Sequence, residues 1–244
     1  MNNLKKSKYF QKRLSLYITF QLKRKFHAIH IVDGRKKASA RSKLYLVNHS
    51  SWWDGLIIFY LNHLLIKEDS YAMMSAQGLI DHPFFEKIGA FPVDPSSPKN
   101  MVKSLQFAEK LLDEQKSLWI FPQGKEEHVE KRPLTFMNGA SYLISKKQSL
   151  VVIPVAMYYS FRHYERPELF IRIGEETLIK KANYQSRDDL TVELQTKVEG
   201  LLNHIRADLI EENIVDYENL LKGFQTLSDL PTTVKRFFHK GESS

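Results

Sequence analysis

The chain has 244 residues with 43% hydrophobic and 26% charged residues, no cysteine and a formal net charge of +8. That length allows one sizeable α/β domain with a full core, the composition excludes a disordered chain, and the missing thiols exclude disulfides, thiolate metal sites and a cysteine nucleophile. Residues 1–37 hold eleven Lys/Arg and one acidic residue, Asp33, a charge of +10 that leaves −2 for the remainder. A basic arm on a near-neutral body is therefore expected, not a nucleic-acid-binding fold.

The N-terminal basic residues are not followed by an apolar h-region, so no signal peptide is read. The longest apolar run, residues 150–159, carries Pro154 and is ten residues long, short of the roughly 18 a membrane span needs. A cytoplasmic protein, peripheral on the inner face of the cell membrane, is expected.

In chain order, Phe10, Leu14, Tyr17, Ile18, Leu22, Phe26 and Ile29 recur at helical spacing, flanked by Lys5, Lys6, Lys8, Lys12, Arg13, Lys23, Arg24 and Lys25. Residues 1–30 thus read as an amphipathic basic helix, either lying on an anionic membrane surface or packed on its own domain with a solvated rim. Residues 31–244 read as the main domain with C-terminal helices. Strands are expected at 29–33, 44–47, 71–74, 117–121, 150–156 and 169–173, with an extended stretch at 89–95. Helices are expected at 54–64, 83–87, from Pro98 through Leu112, at 136–146 and at 188–211. Phe237 and Phe238 among Lys235, Arg236 and Lys240 suggest a second surface contact in the tail. Alternating strands and helices imply a single α/β domain, a mixed sheet flanked by helices.

The chemistry concentrates at Asn48-His49-Ser50-Ser51-Trp52-Trp53-Asp54, a strand-to-helix corner. A carboxylate that folds back onto an imidazole orients it and leaves the second ring nitrogen free to take a proton. The same Asp could equally cap the helix. No G-x-S-x-G elbow, P-loop or G-x-G-x-x-G fingerprint is present. The nine histidines form no cluster with zinc-ligand spacing, so neither a metal nor another cofactor is expected.

Taken in order, several blocks resemble the glycerolipid acyltransferase family that includes bacterial 1-acylglycerol-3-phosphate acyltransferases. Asn48-His49 and Asp54 match its N-H-x4-D motif, and Gly89-Ala90-Phe91-Pro92-Val93-Asp94 is similar to its second block. Ile120-Phe121-Pro122-Gln123-Gly124 is similar to its F-P-E-G block, Phe136 with Gly139-Ala140 to its F-x-x-G-A helix, and Val152-Ile153-Pro154-Val155-Ala156 to its V-P-V block. The resemblance implies transfer of a fatty acyl group from acyl-CoA or acyl carrier protein to a lipid hydroxyl, with His49 as general base and Asp54 fixing its tautomer. It also implies that Asn48, Gln123, Gly124, Lys125, Lys131 and Arg132 serve the substrates, with backbone N–H groups around Gln123-Gly124 as oxyanion donors.

The sequence departs from that family at the acceptor side. Pro95 stands where the family places a phosphate-binding Arg, Gln123 replaces its Glu, and Lys125-Glu126 replace its Thr-Arg. Losing an Arg removes a bidentate, charge-assisted contact to phosphate. Acceptors thus range from 1-acylglycerol-3-phosphate, with Lys125, Lys131 and Arg132 supplying charge, to a glycolipid or sugar-bearing isoprenoid. A non-catalytic peripheral lipid-binding protein that keeps the fold is the alternative.

Overall fold

The computed structural model describes residues 6–35, 42–94 and 96–229. Lys5, Pro95 and the tail residues Lys235, Arg236, Phe237, Phe238 and Lys240 lie outside the described residues.

The run Lys-Leu-Tyr-Leu-Val forms strand β2 (Lys43–Val47), buried at every position. Its two neighbours, β5 (Ser117–Ile120) and the first half of β6 (Ser149–Ser160), run parallel to it. A central parallel strand covered on both faces needs side chains that are apolar without alternation, which is what these runs supply. The sheet continues with β3 (Ser70–Ser75) and β4 (Ala90–Val93) on one side. On the other side lie β7 (Glu168–Ile173), β1 (Ala28–Asp33) and β9 (Glu218–Lys222). The order is β4-β3-β5-β2-β6-β7-β1-β9, with β8 (Thr177–Lys180) on β6. Pairing is antiparallel where β7 and β8 fold back on β6 and where β9 meets β1, and parallel elsewhere. The result is a mixed nine-stranded sheet.

Alternation along β2 divides the core. Leu44 and Leu46 join the apolar faces of α4 (Pro98–Asp113), α5 (Gly139–Ser145) and α6 (Arg187–Ile210). Tyr45 and Val47 face α1 (Lys8–Lys25), α2 (Asp54–Leu61) and α3 (Ala76–Asp81). Helix starts carry ordinary signals: Ser97 accepts from Asn100 N–H ahead of Pro98, and Ser186 from Asp189 N–H ahead of Asp188 and Asp189. Both place a side-chain acceptor on an otherwise orphan donor.

The expected helix from Phe136 begins only at Gly139. Long-range bonds keep the preceding stretch irregular, with Phe136 N–H donating to Gln195 and Met137 N–H to the Pro122 carbonyl. In α1, Ile18 and Leu22 are fully buried while Tyr17, expected on the same stripe, is exposed. The division expected at residue 30 falls inside β1. Among the described residues no helix is long and apolar enough to cross a membrane.

Candidate active site

β2 and β5 are parallel neighbours in register from Leu44↔Leu118 to Leu46↔Ile120, so their carboxyl ends emerge side by side. This is the edge at which open α/β sheets place their sites. It brings the 48–54 corner against the Phe121-Pro122-Gln123-Gly124 turn. Asn48 fixes the corner from below. Its side-chain oxygen accepts from Met157 N–H at 2.7 Å and its amide donates to the Met157 carbonyl at 2.9 Å. Asn48 is 1% exposed; although expected at the substrate, it acts as a clamp between β2 and β6.

Asp54 opens α2 and is fully buried. Its Oδ2 accepts from Ser50 N–H at 2.7 Å and Ser51 N–H at 3.0 Å, and lies 2.8 Å from His49 Nδ1. An ionised carboxylate only accepts, so the Nδ1 proton is the donor and Nε2 is the nitrogen left bare. The sequence left helix capping and imidazole orientation as alternatives; α2 carries no side-chain cap bond, and Oδ2 instead ties the corner ahead of the helix to the imidazole. The other oxygen, Oδ1, accepts from the Tyr159 hydroxyl at 2.6 Å. Burial, with the Asp54 charge beside it, pushes the Tyr159 hydroxyl well above its ordinary range, so it stays a donor. Sequence reasoning missed Tyr159: it lies within a strand 105 residues from Asp54, and only the alternation of β6 hints that it shares a face with Val155 and Met157.

The His49 ring stacks on Phe121 with centroids 4.4 Å apart, and the His49 backbone N–H donates to Gln123 Oε1 at 2.7 Å. Glu127 N–H returns a bond to the His49 carbonyl at 2.9 Å. Gln123 in turn donates to Glu127 Oε2 at 3.1 Å. Glu127 also takes Lys131 at 2.5 Å and lies 3.6 Å from Lys125. The Lys131 and Gln123 hydrogen bonds hold the Glu127 carboxyl below the usual carboxylate range. These contacts account for the glutamine: an amide can serve His49 with its oxygen and Glu127 with its nitrogen, whereas a carboxylate would face another carboxylate. Gln123→Glu is expected to destabilise the fold by about 1.5–3 kcal/mol, the worth of a hydrogen bond to a charged group. A second change, Glu127→Gln, should recover most of it. Thermal unfolding of both variants checks this, and an unchanged midpoint for the single variant would refute the pairing.

Gly124 sits at φ +72°, a left-handed turn position that favours glycine, and its N–H closes the turn onto the Phe121 carbonyl at 3.1 Å. Of the N–H groups expected around an oxyanion, that of Gly124 is thereby committed, and the candidate is that of Gln123. Lys125 lines the cavity above the site. Arg132 turns away, donating to Asn203 Oδ1 at 2.9 Å and to the Val129 and Lys131 carbonyls at 2.7 and 2.9 Å. Lys131 and Arg132, expected at the substrate, thus fix the loop to itself and to α6.

A cavity of about 1260 Å³, lined by His49 and Trp52, runs between α2, β3 and β5. It exists because β3 pairs with β5 only from Ser70 to Ala72 and then follows β4, leaving a gap in the sheet beyond Trp119. Ile58, Phe59, Met73, Met74, Leu105 and Phe121 line it with apolar surface. At the far end Lys6 pairs with Asp69 and lies 3.8 Å from the Tyr71 ring centre.

The profile of the Acyltransferase family matches residues 28–158, more than half of the chain, including the 48–54 corner, the turn after β5 and strands β2 to β5. The chain belongs to this family. As a fold, the acyltransferase is similar to PlsC, the 1-acyl-sn-glycerophosphate (LPA) acyltransferase of Thermotoga maritima. The two share 14% identity over 82% of this chain and 78% of PlsC, with a TM-score of 0.55. Among curated proteins none matches the sequence.

Proposed function

We propose that this acyltransferase moves a fatty acyl group from a thioester, acyl-CoA or acyl carrier protein, to a lipid hydroxyl at a membrane surface. The observation that supports it is a single imidazole: His49 Nδ1 is held by a buried carboxylate, and the same residue lines a large cavity with apolar walls. The acceptor oxygen attacks the thioester carbonyl as its proton passes to His49 Nε2. Asp54 stabilises the imidazolium that forms without accepting the proton itself. Collapse of the tetrahedral intermediate breaks the C–S bond, and the imidazolium returns the proton to the leaving thiolate. The acyl chain lies in the cavity, so no covalent enzyme intermediate is needed.

The membrane reading draws on α1. Tyr9, Leu16, Tyr17 and Phe20 are exposed together, and Phe224 packs edge-on against Phe20 at 5.7 Å. Lys12, Arg13 and Arg24 are exposed on the same helix. Aromatic surface rimmed by basic side chains suits an anionic interface. The double variant Tyr17→Ser, Phe20→Ser is expected to bind phosphatidylglycerol-containing vesicles at least 10-fold more weakly in a flotation assay. Undiminished flotation would remove this role from α1.

The activity itself is tested by free-thiol release from acyl-CoA in the presence of lysolipid and glycolipid acceptors. Acceptor-dependent release that disappears in His49→Ala supports the reading. Vesicle binding without release on any acceptor would favour a lipid-binding protein instead.

A further inference from the structure

The charge arrangement around His49 Nε2 differs from what a phosphate-bearing acceptor requires. The charged group nearest that nitrogen is the carboxylate of Glu126, with Oε1 at 3.9 Å, half exposed on the cavity wall. Of the neighbouring cations, Lys131 donates to Glu127 and Arg132 is fixed to Asn203 on α6, while Lys125 lines the cavity with its ammonium 3.6 Å from the Glu127 carboxylate. An acceptor hydroxyl at Nε2 therefore has the Glu126 carboxylate as its near charged neighbour, with the Lys125 ammonium drawn toward Glu127.

The spacing carries chemical information. At 3.9 Å the two groups are too far apart to bond to each other. They are close enough that the two oxygens of a vicinal diol, about 2.8 Å apart, can lie alongside the pair, each about 2.8 Å from its own partner. A vicinal diol satisfies both: one hydroxyl gives its proton to Nε2 and attacks, while its neighbour donates to the Glu126 carboxylate. Hydrogen bonds to an ionised acceptor are the stronger kind, and a site built to receive a hydroxyl discriminates strongly against a ligand that lacks one. A phosphate in the same place brings only acceptor oxygens and like charge.

The geometry points to an uncharged vicinal diol, of the kind a glycosyl or glycerol headgroup presents, as the acceptor, with Glu126 as the residue that selects it over a phosphomonoester. This rests on the acyl-transfer reading above. No bond to Glu126 forms or breaks. The ester bond forms at the attacking hydroxyl, the C–S bond breaks, and the proton leaves with the thiol.

The experiment measures kcat/KM for full-length protein with one acyl-CoA and three acceptors: a long-chain alkyl glucoside, a 1-monoacylglycerol and lysophosphatidic acid. At least one of the first two should exceed lysophosphatidic acid by 10-fold or more, and which one does names the source of the diol. Glu126→Gln should lower that preferred value by about 10-fold, mainly through KM, and leave lysophosphatidic acid unchanged or improved. Glu126→Arg should shift preference toward lysophosphatidic acid. A parent enzyme that prefers lysophosphatidic acid overturns the proposal and assigns the acceptor to Lys125 and Arg187, which also line the cavity, while acyl transfer itself stands. Equal losses on all acceptors in Glu126→Gln likewise overturn it, showing a loop effect. Absence of thiol release with every acceptor defeats the underlying reading, and the proposal with it.

Discussion

Replacing His49 by alanine is expected to lower kcat for thiol release by about 10²–10⁴-fold, the usual worth of a positioned general base, while KM for the donor changes little. The separation follows from geometry. The imidazole is only partly exposed, at 21%, and is one residue of the cavity wall, whereas the apolar lining that would hold a chain belongs to α2, β3, β5 and α4. The fold should tolerate the change, because the backbone bonds from His49 N–H to Gln123 and from Glu127 N–H to the His49 carbonyl do not use the ring. Circular dichroism of the variant alongside single-turnover thiol release checks both halves. A variant that is folded and turns over at the parental rate would end the general-base mechanism.

Asp54 should show how far charge and shape can be separated. In Asp54→Asn the side-chain oxygen can keep the Oδ2 position facing Ser50 N–H, Ser51 N–H and His49 Nδ1, because the reversed amide would set donor against donor. The amide nitrogen then meets the Tyr159 oxygen, which can accept. Geometry survives and the negative charge does not, so kcat is expected to fall within the same range of about 10²–10⁴-fold with only a small loss of stability. Asp54→Ala removes the acceptor itself. A buried donor left without a partner costs about 1–3 kcal/mol; the partly buried Ser50 and Ser51 N–H groups lose their shared acceptor, and the Tyr159 hydroxyl loses its carboxylate. The alanine variant should therefore unfold at markedly lower temperature than the asparagine variant. Equal melting temperatures for the two would show that the carboxylate does not hold the corner together.

Tyr159 connects these results to the sheet. It is the donor that occupies Oδ1 and so leaves Oδ2 for the histidine, and it reaches Asp54 only because β6 pairs with β2 in a register that sets Val155 beside Val47. The acyltransferase site is thus a product of strand pairing as much as of the corner. That explains the two functions of the block from Val152 to Ala156: it fills the core, and it carries the chain onward to the residue that completes the carboxylate.

Much of this was legible in the residues. The apolar runs of β2, β5 and β6 are continuous because they are buried on both faces, and continuity is visible in a single chain. The amphipathic spacing of α4 and α6 was readable for the same reason, since each buries one face only. β8 and β9 were not legible: Thr-Leu-Ile-Lys and Glu-Asn-Leu-Leu-Lys are strands because β6 and β1 offer free edges. α3 spans six residues, too few to show a period. Within the site, His49 and Asp54 are five residues apart and their meeting is local, so the sequence alone determined the imidazole–carboxylate pair. Asn48, Lys131 and Arg132 have side chains that could reach a substrate. Met157, Glu127 and Asn203, distant in sequence or packed beside them, decided that they hold the protein to itself. Only the tertiary structure could settle those partners, because a polar group's role is set by which donor or acceptor arrives first within hydrogen-bond distance, and that depends on chain segments far away.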